Sequence, residues 1–502
     1  MRAGVLRAGA VGVAVAVSGV WTGVAHAGHR RGSEVTAVRV DRTDEVGTFD
    51  GMAFERLVGQ VEGRVHRSEH VVGLAGVVGS AEFHSYRSEF ELIRPVDARR
   101  RELAVVEVEN RGSPLMLQML NQFVIGFSGP PSKHSYAGGL GDGFLFDGGR
   151  SYARVQWQTG LSPGVPPTAQ GVGEVIVRDF GRLLKSGRIG QDASPLGRYE
   201  TLVVTGISQS GWFIDTFVAE GFNASPSGRR VYDGALVLAS GGNWLAINQL
   251  GDDGDPQEPY VRPNGRPLTA SQILTRPRTD PFFVDIVTYT DFYRLRAALA
   301  RDPDPPRRSR RYELPAAHLP AFFVDDTLVF EKLACNDKHV VPLSQLDYRP
   351  YVRALLVGLE GRLGGPGRGL PPPVLFRLGP EPPPSEYFND LPDADVRVPR
   401  VDDDAQPEGG VRFPEADLPL GRLDPPALSP ATTSGITAIC GNFSAYQPFT
   451  RAVLKSRYGN ADRYESRVLS RLDRLVRRGL LLKDDRHGVA QDLRHRFESP
   501  PS

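Results

Sequence analysis

The sequence predicts an α/β fold: a mostly parallel central sheet flanked by helices, with a β-rich extension before it and a helical extension after it. Three observations predict this. From about residue 103 onward, short apolar runs alternate with helical patterns, as parallel strands joined by crossover helices require. One of those runs passes through a Gly/Ser turn directly into a helix. Glu34 to Ile93 instead alternates Val, Phe and Tyr with charged residues at period two, which suits antiparallel hairpins.

Leu103-Ala-Val-Val-Glu-Val and Tyr152-Ala-Arg-Val-Gln-Trp read as strands, Val175 to Leu184 as a helix, and Leu202-Val-Val-Thr as a strand followed by a helix from Trp212 to Glu220. Pro281 to Thr288 and Arg311-Tyr-Glu-Leu-Pro are two further strand candidates, with a short helical stretch, Phe292 to Ala300, between them. Asn243–Arg278, after the apolar run Val231 to Leu238, is where a substrate-covering lid would sit. Residues 361–427 are rich in Pro, Gly and Asp and read as a long surface excursion. Near the end, Asn460 is placed to cap a helix carrying Val468, Leu469, Leu472, Leu475 and Val476 on one face, and Gly479 to stop it. The expected organisation is therefore a leader (1–27) and one domain: a β-rich segment (28–95), a catalytic core (96–360), the excursion (361–427) and a helical segment (428–502).

The 502 residues carry 60 basic and 59 acidic side chains, a net +1. That balance gives no field to recruit nucleic acid or an anionic membrane. Arg2 and Arg7, the uncharged stretch Ala8 to Val20 and the small-x-small site Ala25-His26-Ala27 read as an export signal cleaved before Gly28. Losing the two arginines takes the charge to −1, and a secreted protein without stable membrane insertion is expected. Cys335 and Cys440 are the chain's two cysteines. In an oxidising compartment they form a candidate disulfide, with two unpaired thiols as the alternative.

The chemistry centres on Gly206-Ile-Ser-Gln-Ser-Gly. A nucleophile held in strained backbone between a strand and a helix needs small residues two positions to either side, and Gly206 and Ser210 flank Ser208 in that way. A serine hydroxyl also needs a base and a carboxylate to orient the base. Asp291 follows one predicted strand and His318 the next. Asp325 or Asp326 with His339 form a competing pair whose spacing leaves no room for a helix and a strand. For the oxyanion, Gln209 supplies one amide by position; Gly112, in the turn Asn110-Arg-Gly, is the candidate for the second, with Trp157-Gln158 as a rival. Neither Gly251-Asp-Asp-Gly-Asp-Pro nor Asp402-Asp-Asp has calcium-loop spacing, Gly141-Asp-Gly and Gly171-Val-Gly lack a dinucleotide fingerprint, and Arg307–Arg311 reads as solvated surface. No metal or cofactor is expected.

Taken with Glu107-Val-Glu-Asn-Arg-Gly, Val155-Gln-Trp-Gln, Tyr232-Asp-Gly-Ala, Tyr289-Thr-Asp, Tyr312-Glu-Leu-Pro-Ala-Ala-His, Pro371-Pro-Pro and Gly409-Gly-Val-Arg-Phe-Pro, the motif makes the chain resemble an α/β-hydrolase-domain family of often exported, largely uncharacterised proteins. The resemblance implies an α/β-hydrolase fold and a serine hydrolase with Ser208, Asp291 and His318 as its triad. It favours Asn-Arg-Gly as the oxyanion turn and a Cys335–Cys440 bond. Family members usually carry Glu where Tyr289 stands, which leaves open whether Asp291 is the working acid. Cleavage of a small or polymeric carboxylic ester is the first expectation. Amide or peptide hydrolysis and a non-catalytic binding protein with a degenerate site are the alternatives.

Overall fold

The computed structural model describes residues 32–500 apart from 98, 100–101, 124–128, 137–138, 246–265, 320–345, 366, 381–394, 424–441, 443 and 445. The proposed leader, both cysteines, the pair Asp325/Asp326 with His339, and most of the proposed lid lie outside the described residues.

The chain opens with β1 (Glu34–Phe49), β2 (Met52–His66) and β3 (Phe83–Pro95), all antiparallel. Asp50 and Gly51, both at positive φ (49° and 75°), make the two-residue turn that pairs Phe49 with Met52. Then follow β4 (Leu103–Glu107), helix α1 (Leu115–Leu120), β5 (Ser151–Val155), α2 (Val172–Ser186), β6 (Thr201–Ile207), α3 (Gln209–Ala219), β7 (Gly234–Leu238), β8 (Phe282–Thr288) and β9 (Ser309–Leu314). The last part carries α4 (Arg349–Arg362), α5 (Arg451–Tyr458), α6 (Ala461–Arg478) and α7 (Asp485–Glu498).

The nine strands form one sheet in the order β1-β2-β3-β5-β4-β6-β7-β8-β9. β5 pairs antiparallel with β3 and parallel with β4, so an antiparallel sheet edge is grafted onto six parallel strands. Period two divides the apolar residues between the faces. Val203 and Ile207 join a core with α1, α4, α6 and α7, whereas Leu202 and Val204 join one with α2 and α3. Because the parallel strands all run the same way, their carboxyl ends share one edge, where loops can gather side chains from distant positions.

Helix α6 follows its sequence signals. Asn460 Oδ1 accepts from the Arg463 amide at 2.9 Å, Gly479 ends α6 at φ 72°, and Tyr464, Val468, Leu472 and Leu475 are buried. Two expectations change. The described parts of 361–427 are fastened to the edge strand: the Glu313 amide donates to Val374 O and the Val411 amide to Glu313 O, while Phe376, Val411 and Phe413 are buried. The edge of β9 needs backbone partners and this segment supplies them. Arg311, read as solvated, lies in β9 with its guanidinium bonded to Asp285, Glu313 and the Ala297 carbonyl.

Candidate functional site

Ser208 follows β6 at the carboxyl edge with φ 58° and ψ −122°, a conformation costly for any residue with a Cβ. Its amide donates to Leu238 O at 3.0 Å, and its carbonyl accepts the Trp212 amide at 3.0 Å, the first bond of α3. The turn is tight: a Cβ on Gly206 would stand 2.8 Å from Ser210 Cβ, closer than packing allows. The small residues that flank the elbow are thus a steric requirement. Ser208 is half-buried, and Ser210 beneath it is fully buried.

Two strands over, β8 ends in Thr288-Tyr-Thr-Asp291, and beyond β9 lies His318. Asp291 Oδ1 and His318 Nδ1 are 2.7 Å apart, each with a 1% exposed side chain. The other carboxylate oxygen accepts the Thr288 amide at 2.7 Å, and Thr290 Oγ1 accepts the His318 amide at 2.8 Å. With Nδ1 tied to a carboxylate, the imidazole holds its proton there and Nε2 is the basic nitrogen. Among the described residues Nε2 is buried and makes no hydrogen bond; no bond joins it to Ser208 Oγ. Unliganded nucleophile–base pairs are commonly loose in this way.

Tyr289 directly follows β8. Its side chain points into the core, with its hydroxyl 2.9 Å from that of Tyr293 and its ring edge-on to Phe376. Asp291, two residues on, is the acid that meets His318.

The candidate oxyanion turn is anchored to the elbow. Asn110 Nδ2 donates to the carbonyl of Ile207, the residue before Ser208, at 3.0 Å. Asn110 and Ser113 exchange both backbone bonds, so that Arg111 and Gly112 turn at φ 51° and 83°. A Cβ on Gly112 would stand 3.2 Å from Gly129 N and O, an approach that favours glycine there. The rival Trp157 donates its indole N–H to Glu109 O at 2.9 Å and packs, tilted, against Phe213, 4.4 Å between centroids.

Beneath the turn lies a buried ionic network that sequence reasoning did not find. Arg154, fully buried on β5, donates to Gly112 O at 3.1 Å, Glu109 at 3.0 Å and Glu91 at 2.7 Å. Arg56 also pairs with Glu91. Burial alone would raise the Glu91 carboxyl, but the two guanidiniums reverse this and hold it below its ordinary value. Among the described residues Glu109 is paired with Arg154 alone, so burial prevails and pushes it up to about 7. Glu107, also pushed up to about 7 by burial, accepts the Met116 and Leu117 amides at 2.7 and 3.0 Å and caps the start of α1. The available signal was Glu107 and Glu109 at period two in an otherwise apolar strand, both on one face.

Residues 144–491, more than two thirds of the chain, match the family described as the alpha/beta hydrolase domain. The chain belongs to that family. No curated protein matches it. For an α/β hydrolase the sheet edge described above is where ligands bind, and Ser208, Asp291 and His318 all lie inside the matched span. The Asn110–Gly112 turn and the three antiparallel strands lie before it. Among the described residues no group of histidine, cysteine, aspartate or glutamate side chains has the arrangement to hold a metal ion, and no helix is long and apolar enough to cross a membrane.

Proposed function

We propose that this α/β hydrolase is an exported serine esterase that cleaves a carboxylic ester through an acyl-enzyme on Ser208. The observation that carries the reading is the buried Asp291–His318 pair, whose Nε2 makes no hydrogen bond among the described residues, on the same sheet edge as a serine in strained backbone. Ser208 Oγ attacks the ester carbonyl carbon as its proton passes to His318 Nε2. The amides of Gln209 and Gly112 receive the charge that develops on the carbonyl oxygen. Collapse breaks the bond to the alcohol oxygen, which takes the proton from His318. Water, deprotonated by the same nitrogen, then attacks the acyl carbon and releases the acid and Ser208. Asp291 fixes the tautomer and stabilises the imidazolium while it lasts. The leader and its small-residue site support export, with the mature chain beginning near Gly28.

A series of p-nitrophenyl esters of increasing acyl length, followed in the pre-steady state, tests this. Release of about one equivalent of nitrophenolate per protein before slow turnover, absent in Ser208→Ala, is the expected result. Turnover at wild-type rate in Ser208→Ala would overturn the assignment.

A further inference from the structure

The sheet face under α3 holds a cavity that the reaction above does not use. It lies along β8 and β9 and is lined by Asp215, Ser240, Ile273, Phe283, Asp285 and Leu375, among others. About 60 Å³ of it is open to the centres of water-sized groups, room for about four to six of them. Its walls are mainly apolar.

Asp215 is the anomaly. It sits two turns along α3 from Ser208, on the same helical face, about 10 Å away along the axis. It is completely buried, and among the described residues neither carboxylate oxygen makes a hydrogen bond. Asp285 Oδ1 is likewise unbonded, although its other oxygen accepts from Arg311 at 2.8 Å. Burial raises the Asp215 carboxyl well above its ordinary value and the nearby Asp285 adds to this; the Ser240 hydroxyl and Arg311 oppose it.

The surrounding charges can be counted. Asp215 on α3, Asp285 on β8 and Glu313 on β9 are acidic; Arg311 on β9 and Arg301 before it are basic, and both bond Glu313. Asp302 and Arg310, half-buried and also lining the cavity, cancel each other. Leaving aside Asp291, which lies beyond the end of β8 within electrostatic reach of Asp285 and is bonded to His318, the cluster carries one surplus negative charge with Asp215 ionised and is neutral with Asp215 protonated. A single positive charge in the cavity would satisfy the ionised form.

We propose that this cavity is a binding site for a small primary alkylammonium, with Asp215 as its counter-ion. An ammonium offers three N–H donors, matching the three unbonded carboxylate oxygens of Asp215 and Asp285, and the apolar walls suit its alkyl part. A guanidinium has five donors, more than the cavity can accept, and a calcium ion requires about six or more oxygen ligands. The proposal does not rest on the serine mechanism, although Asp285 stands within electrostatic reach of Asp291.

Calorimetric titration of the purified protein with n-butylammonium chloride at pH 7, against butan-1-ol as the neutral isostere, tests the proposal. The ammonium is expected to bind at least about tenfold more tightly than the alcohol. Because it ionises Asp215, binding should release close to one proton, read from the dependence of the heat on the buffer's ionisation enthalpy. Asp215→Asn, which replaces a neutral acid by a neutral amide of the same shape, should weaken the ammonium at least about tenfold. Ala270→Trp, at a half-buried position on the rim, should block it and keeps the test decisive if the first variant does not fold. No binding of butylammonium, equal binding of the alcohol, or wild-type affinity in either variant would overturn the proposal.

Discussion

The two walls of the candidate site are built by opposite means. The base wall, Asp291 with His318, is held at the ends of two neighbouring strands: by the Thr288 amide three residues before Asp291, and by Thr290, whose hydroxyl takes the amide of His318 28 residues on. The oxyanion wall rests on Arg154, whose partners Glu91, Glu109 and Gly112 are 63, 45 and 42 residues away. The first device needs only the ends of β8 and β9 side by side. A long-range one is assembled only when β3, β4 and β5 pair. The base wall should therefore respond to mutation in chemistry alone, and the oxyanion wall in chemistry and folding together.

Replacing Asp291 with Asn should separate the two most sharply. The amide would favour the wrong imidazole tautomer, so kcat is expected to fall about 10⁴-fold with little change in KM or in folding. Activity within tenfold of wild type would place the acid elsewhere. Gly112→Ala strains a residue at φ 83° and presses its Cβ toward Gly129, displacing one amide donor. A loss of about 10² to 10³ in kcat is expected, the size measured when one oxyanion donor is removed; an unaffected kcat would shift the second donor to the Trp157-Gln158 rival.

Arg154→Met leaves Glu91 and Glu109 buried without their shared partner. Urea denaturation should show a loss of about 3–5 kcal/mol, part of it recovered by adding Glu109→Gln. A loss below about 1 kcal/mol would mean that the network adds little to the turn. The smallest effect concerns a buried acid outside both walls. Glu174 on α2 has no hydrogen bond on either carboxylate oxygen among the described residues, and burial followed by nearby Glu220 raises its pKa. The folded form therefore keeps a proton that the unfolded chain loses above about pH 4.3, so stability falls as pH rises from there toward the raised folded value. Glu174→Gln should be more stable than wild type at pH 8, with the gap closing toward pH 4. A gap independent of pH would contradict this sign.

Legibility in the sequence follows the same division. Gly206 to Gly211, Asp291 and His318 could be read because strand, turn and helix follow one another along the chain and the chemistry sits at their junctions. The caps of α6 were legible for the same reason. Arg154, Glu91 and Arg56 could not be read as a group, since nothing local tells a buried arginine on β5 which acid it will meet. The segment 361–427 was misread as surface because its contacts with β9 are isolated backbone bonds, made by Val374 and Val411, that leave no periodic pattern. Asp215 lies in a stretch read only as a helix, and it takes the fold to show that, among the described residues, neither of its carboxylate oxygens is hydrogen-bonded.

The central claim is that Ser208 is an activated nucleophile. A fluorophosphonate should add one equivalent to the purified mature protein, read by intact mass and mapped to the peptide carrying Ser208, with no adduct in Ser208→Ala. An adduct on another residue, or none under conditions that label a control serine hydrolase to completion, would contradict it.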